Sequence, residues 1–333
     1  MHLGLALPQF DYSIPGEDPL RWPSVVQWAQ RAEAAGFDAV WLADHLFLPL
    51  DKYGGPDRPY EGFDPFVALA GIAAATERVA LGTLVACAPF RPPAVLAKSA
   101  AAIDLLSGGR FILGLGAGWL EREFAAAGLP FLTAGERIEH LAEAVQIVKG
   151  LAGGGPLRFA GRYGSVDGAR NRPAPSSDVP VWIGGKGGPR AASVIARYAD
   201  GWNTAWRWSV PEYTHRLGIL RRACDAIGRD PATVALSVGL TTLIGESPAD
   251  LRRRYEFLVE SAPPGTLGSE SLEEFRVGRL VGTVDEVGDQ LAEWRDAGVA
   301  QVICCVGAVP FAVAADDDLV FAASARWKDT RDG

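Results

Sequence analysis

Asp44 and His45 stand side by side near the end of GFDAVWLADHLFLP, residues 36–49. A carboxylate beside an imidazole can take up or give back a proton near neutral pH, because an unperturbed histidine titrates at about 6.5. Val40, Trp41 and Leu42, just before the pair, form an apolar run of strand type after a helix that closes on Gly36. In a barrel of parallel strands the carboxyl ends carry the chemistry, so His45 is a candidate acid, base or hydrogen-bond donor there. The plainer alternative is an Asp that caps the next segment and steadies an inert His.

A second candidate is VWIGGKGGP, residues 181–189, a buried strand that runs into Gly184, Gly185, Lys186, Gly187 and Gly188 just before a helix. Successive backbone N–H groups at a helix N-terminus attract anions, and Lys186 and Arg190 add positive charge. This is a phosphate cradle or a flexible turn without a ligand. FILGLGAGW, residues 111–119, is also glycine-rich, but Trp119 stands where the dinucleotide fingerprint wants its third glycine, and the segment is the fourth strand rather than the first. Its glycines fit a close approach of the backbone to a ligand or a neighbouring strand. In GTLVACAPFRPPA, residues 82–94, Arg91 beside two prolines would meet an anionic ligand or make a surface ion pair. His140 lies off the apolar stripe of its helix and reads as solvated, and His215 has no evident partner. Without His or Cys clustering a metal site is not expected, and no GxSxG supports an esterase.

Short apolar strands alternate with helices from end to end, at Leu3–Leu7, Ala39–Leu42, Ala80–Val85, Phe111–Leu115, Val181–Ile183, Gly201–Thr204, Ala235–Leu240 and Val302–Val306. That alternation predicts an α/β fold, a (β/α)8 TIM barrel. Helix starts are marked by Asp64-Pro65 and by capping boxes at Thr133/Glu136 and Thr283/Glu286. The expected domain is a single one over residues 1–333, with insertions near 47–62, 150–178 and 261–280. The second suits a hairpin and the third a lid.

A net charge of −8 argues against a broad nucleic-acid surface, and no apolar run reaches the roughly 18 residues a membrane span needs. The amino terminus reads as a first strand rather than a leader, so a cytoplasmic protein is expected. Cys87, Cys224, Cys304 and Cys305 lack CxxC spacing and read as buried thiols, with the adjacent pair pointing to opposite faces of a strand. Trp202, Trp206 and Trp208 could wall a pocket for a flat ligand.

Taken in order, GFDAVWLADHLFLP, LGTLVACAPFRPPAVLAKSAAAIDLLSGGRFILGLGAGW, ERIEHLAEAVQIVKG, PVWIGGKGGPRAASVIARYADGWN and VGTVDEVGDQLAEWRDAGVAQVI resemble the luciferase-like monooxygenase superfamily, most closely its coenzyme F420-dependent oxidoreductase branch. The resemblance implies a (β/α)8 barrel, usually a homodimer, that binds F420 or, as the alternative, FMN at the strand ends. It implies that Asp44 contacts the ring system and that His45 sits over the reactive face. It implies a cis bond at Leu84-Val85 backing the ring, and a coenzyme phosphate held by the amides of Gly184 to Gly188. The activity it implies is hydride exchange with a small organic substrate, with FMN-dependent monooxygenation served by a separate reductase as the runner-up. Two departures stand out. Trp119 replaces an acidic residue and Pro49 replaces a Trp, which argues against a sugar-phosphate substrate and leaves open which group protonates the coenzyme. Glu121, Glu123 and Tyr53 lie nearby in sequence. Trp41, Trp119, Trp182 and Trp202 are expected near the site.

Overall fold

Every predicted strand is present in the computed structural model, which describes residues 1–313 and 318–329. The barrel strands are β1 (His2–Ala6), β2 (Ala39–Leu42), β3 (Ala80–Thr83), β4 (Phe111–Gly116), β5 (Val181–Gly184), β6 (Gly201–Trp206), β7 (Ala235–Gly245) and β8 (Gln301–Val306). Each pairs in parallel with the next, and β8 returns to β1 through Leu3 opposite Val302 and Leu5 opposite Cys304, so the sheet closes. Parallel strands need long crossovers, and the helices that supply them cover the outside and bury the outward-facing side chains. The expected domain ends at residue 333, and residues 314–317 and 330–333 lie outside the described part.

Aromatic side chains fill part of the interior because the strands around them are stripped to glycine. A Cβ on Gly82 would lie 2.2 Å from the Trp41 ring, one on Gly4 2.6 Å from Trp41 Nε1, and one on Gly201 2.6 Å from Trp182. The two indoles meet with ring centres 5.4 Å apart. Cys304 joins the cluster between sheet and helices and Cys305 the interior one, as alternation along a strand requires. All four cysteines are buried.

Two strand ends differ from the sequence expectation. β3 stops at Thr83, because Leu84-Val85 is a cis bond, and pairing with β4 resumes at Ala86–Cys87. β7 continues past Leu240 to Gly245, because Leu280–Thr283 adds a further strand alongside its last residues. The capping boxes at Thr133/Glu136 and Thr283/Glu286 form, as does the Asp64 cap. Each such cap stabilises its helix by about 1 kcal/mol.

The stretch near 150–178 carries the antiparallel hairpin Leu157–Ala160 and Ser165–Ala169, whose turn is pinned by Glu143 accepting the amides of Arg162, Tyr163 and Gly164. His140 stacks on Tyr163 at 5.6 Å there and is half-buried, not freely solvated. The stretches near 47–62 and 261–280 touch backbone to backbone: a Cβ on Gly54 would lie 2.6 Å from the Gly265 carbonyl, and one on Gly265 2.4 Å from that of Gly54. Among the described residues no helix is long and apolar enough to cross a membrane.

Candidate active site

At the carboxyl ends of the strands lies a cavity of about 950 Å3, bordered by Asp44, His45, Val85, Trp119, Gly184 to Lys186 and Trp206, among others. Large apolar side chains make most of its wall, including Leu48, Phe90, Phe124, Ile138 and Phe311. Such a space, with a few polar groups converging on it, suits an organic ligand of cofactor size.

The cis Leu84-Val85 step lets the Val85 side chain stand against the glycines of two strands. A Cβ on Gly116 would lie 2.6 Å from Val85 Cγ2 and one on Gly184 2.7 Å from both Val85 methyls, while one on Gly114 would lie 2.1 Å from the Thr83 carbonyl oxygen. The glycines of β4 therefore make room for β3 and its bulge, the second of the two options their sequence left open. A second cis bond, Ala205-Trp206, ends β6 and sets Trp206 against Phe311 with ring centres 5.1 Å apart.

Asp44 and His45 are adjacent in sequence but do different things. Asp44 accepts from Arg91 Nη1 at 2.5 Å, Arg91 Nη2 at 3.1 Å and the Cys87 amide at 2.9 Å. Burial pushes its carboxyl up, and the Arg91 guanidinium and the Cys87 N–H oppose that shift. Arg91 also reaches the exposed Asp64 at 2.6 Å, so it makes the ion pair its sequence allowed, one arm at the surface and the other on the buried Asp44, rather than meeting a ligand. It ties the end of β2 to the segment after β3. No hydrogen bond runs from Asp44 to the His45 ring.

The imidazole is engaged by Glu123 instead. His45 Nδ1 lies 2.8 Å from Glu123 Oε2, while Glu123 Oε1 accepts the Leu46 amide at 2.7 Å. The Glu123 side chain is 2 % exposed and that of His45 18 %. Glu123 sits in the first turn of the short helix Glu121–Ala126, brought over β2 by the turn that follows β4. Its partner lies 78 residues away, so spacing gives no sign of the contact; the only cue is a carboxylate close behind the end of a strand. Trp119, exposed to 43 %, stands edge-on to His45 at 5.8 Å and carries Lys52 Nζ 3.9 Å above its ring.

At the turn after β5, Gly185 (φ 147) and Gly187 (φ 64) adopt backbone angles that favour glycine, and Gly188 caps the helix Pro189–Tyr198. No atom lies within 4 Å of a Cβ built on Gly185 or Gly188, so this backbone borders open space. Lys186 and Arg190 line the cavity beside it without an acidic partner among the described residues. Burial and the nearby Lys186 lower the affinity of Lys52 for its proton. The Gly185 amide donates to the Asn203 carbonyl at 3.0 Å, so the amides of Lys186 to Gly188, a helix N-terminus and two cations without acidic partners among the described residues match the anionic portion of a ligand, and the apolar wall against Val85 matches a flat ring.

Of the expected tryptophans, Trp119 lines the cavity, Trp202 lies beneath the turn and donates to the Gly185 carbonyl at 2.9 Å, and Trp41 and Trp182 fill the barrel below. Tyr53, Lys52, Trp206 and Phe311 also border the space, and burial pushes the Tyr53 hydroxyl up. Beyond Lys52, Tyr53 and Trp206 a second chamber of about 890 Å3 opens, with Arg216, Arg279, Glu270 and His215 on its wall. Among the described residues no group of three or more His, Cys, Asp or Glu is arranged to hold a metal ion.

This barrel, with its strand-end cavity, is shared with known proteins. The luciferase-like monooxygenase family model matches residues 1–301, so the chain belongs to that family and is an oxidoreductase. It is 30 % identical over 319 residues to the F420-dependent hydroxymycolic acid dehydrogenase of Mycobacterium tuberculosis, covering 93 % of this chain and 84 % of that one. It is 35 % identical over 194 residues to the F420-dependent glucose-6-phosphate dehydrogenase of Amycolatopsis mediterranei, 58 % of this chain and 56 % of that one. Among solved structures it superposes on an F420-dependent secondary alcohol dehydrogenase in complex with an F420-acetone adduct, with a TM-score of 0.73 at 20 % identity over 91 % of this chain and 92 % of that one. It also superposes on a long-chain alkane monooxygenase, with a TM-score of 0.79 at 15 % identity over 100 % of this chain and 91 % of that one.

Proposed function

We propose that the chain is a coenzyme F420-dependent oxidoreductase that exchanges a hydride with a small alcohol or carbonyl compound. The observation that carries this reading is His45, partly exposed at the cavity and fixed from behind by a buried carboxylate. The relatives named for F420 support the choice of coenzyme. When bound, the coenzyme supplies the ring carbon that takes or gives the hydride.

The chain's own residues do the rest. Val85 backs the ring, the amides of Lys186 to Gly188 with the Lys186 and Arg190 side chains hold the anionic portion, and the apolar wall keeps water from the reacting carbon. Asp44, bound to Arg91 and the Cys87 amide, sets the floor of the ring pocket, and Leu84 lies beside it. His45 takes the proton from a substrate hydroxyl when the substrate is oxidised and returns it in the opposite direction. The reading includes one barrel domain, a homodimer and a cytoplasmic location.

Titrating the purified chain with F420 and with FMN, following tryptophan fluorescence, separates the coenzymes, because Trp119 and Trp206 line the cavity. Tight binding of FMN alone would replace the proposal with a flavin monooxygenase served by a reductase. His45→Ala is expected to cut turnover by roughly 10² to 10⁴ while coenzyme affinity is kept. Unchanged turnover removes His45 from the reaction.

A further inference from the structure

Glu123 is a buried carboxylate with no Lys or Arg in contact among the described residues. Its two oxygens instead meet the Leu46 amide and His45 Nδ1. An ionised carboxylate can only accept, and the amide can only donate, so the remaining contact is satisfied when Nδ1 carries the imidazole proton. In the neutral ring that leaves Nε2 with a free lone pair, and Nε2 has no protein partner among the described residues. We infer that Glu123 is a positioning residue: it fixes His45 with the proton on Nδ1 and makes Nε2 the atom that exchanges a proton with the substrate. The inference rests on the redox reading above.

The step balances. In the oxidising direction the alcohol O–H proton passes to Nε2, while the hydrogen on the same carbon leaves with its electron pair to the bound coenzyme. The alcohol becomes a carbonyl compound and the coenzyme is reduced by two electrons. In reverse, Nε2–H returns the proton to the carbonyl oxygen. Each Glu123 oxygen already takes one hydrogen bond, from the Leu46 amide or the His45 ring, which holds the carboxylate in place behind the imidazole.

Glu123→Gln tests the idea without changing the shape of the side chain. Its amide oxygen must accept the Leu46 N–H, so its NH2 group faces Nδ1 and can only donate. That selects the opposite tautomer, with the proton on Nε2 and no lone pair for the substrate. The chain has only four histidines, so nitrogen NMR on the labelled, coenzyme-free protein can read the tautomer, with His45→Ala to assign the signal. The expected result is an Nδ1–H form in the wild type and an Nε2–H form in Glu123→Gln.

With coenzyme and substrate present, kcat in Glu123→Gln should fall by about 10² to 10⁴, with KM and coenzyme Kd within about twofold. Glu123→Ala, which leaves the tautomer free, should retain more turnover than Glu123→Gln. A merely packing role predicts the reverse order. An Nε2–H form in the wild type, or full turnover in Glu123→Gln, overturns the inference. Kept turnover in His45→Ala also overturns it, since Nε2 is then not the exchanging atom, whereas a wild type without turnover on F420 sinks the redox reading and leaves the tautomer measurement to decide what Glu123 does.

Discussion

The end of β4 with its turn and the end of β5 with its turn both read as runs of glycine, Gly114 to Gly118 and Gly184 to Gly188, and both edge the same cavity. Side chains added to them would meet different things. At Gly114 and Gly116 a Cβ would strike the Thr83 carbonyl and the Val85 side chain. At Gly185 and Gly188 it would meet nothing within 4 Å among the described residues, while two cations without acidic partners among those residues stand alongside. Gly184 belongs with the first group, since Val85 fills the space over it, and Gly187 is pressed on Trp202. One run is glycine-rich because protein approaches it, the other because space is left for something else. A glycine run therefore announces a close approach, and only the third partner says of what.

Breaking the first run should have the larger effect. Gly114→Ala drives a methyl into a backbone carbonyl that cannot swing aside, and it should cost roughly 3 kcal/mol or more. Denaturant unfolding measures this, and a loss under about 1 kcal/mol would show that β3 and its bulge can retreat. Next, Lys186→Ala should weaken coenzyme binding by about tenfold and flatten its dependence on salt, with folding stability unchanged. Affinity that does not move would leave the second run as a turn without an anion. Smallest is Gly188→Ala. Its φ of −67° suits any residue and its surroundings are open, which offsets the preference of an N-cap for glycine over alanine, so stability should stay within about 1 kcal/mol. A marked fall would mean that the second run, like the first, is packed against protein.

The barrel is legible in the sequence because each strand is a short apolar run closed by Gly, Pro or a polar residue, and the helices between them carry their own start signals. Leu84-Val85 is different. Nothing in the two side chains distinguishes a cis bond from a trans one, so only resemblance points to it. Asp44 and His45 are visible as a pair, but their partners are not, because Arg91 and Glu123 arrive from the segments after β3 and β4. The neighbouring order of β2 and β3 gives a partial clue to Arg91, since both strand ends open on the same side. For Glu123 the approach depends on how the turn at Gly118 (φ 76) directs the chain, a backbone choice that charge and spacing do not encode. The extension of β7 past Leu240 follows from pairing with Leu280–Thr283, a long-range event that no local pattern announces.

Gly54 and Gly265 each occupy the space that the other's side chain would need. The two rims they belong to are thereby matched in depth, like the halves of a clasp. A methyl on either glycine would strike the carbonyl of the other at a backbone angle that favours glycine, so neither rim can change there without moving the one it meets.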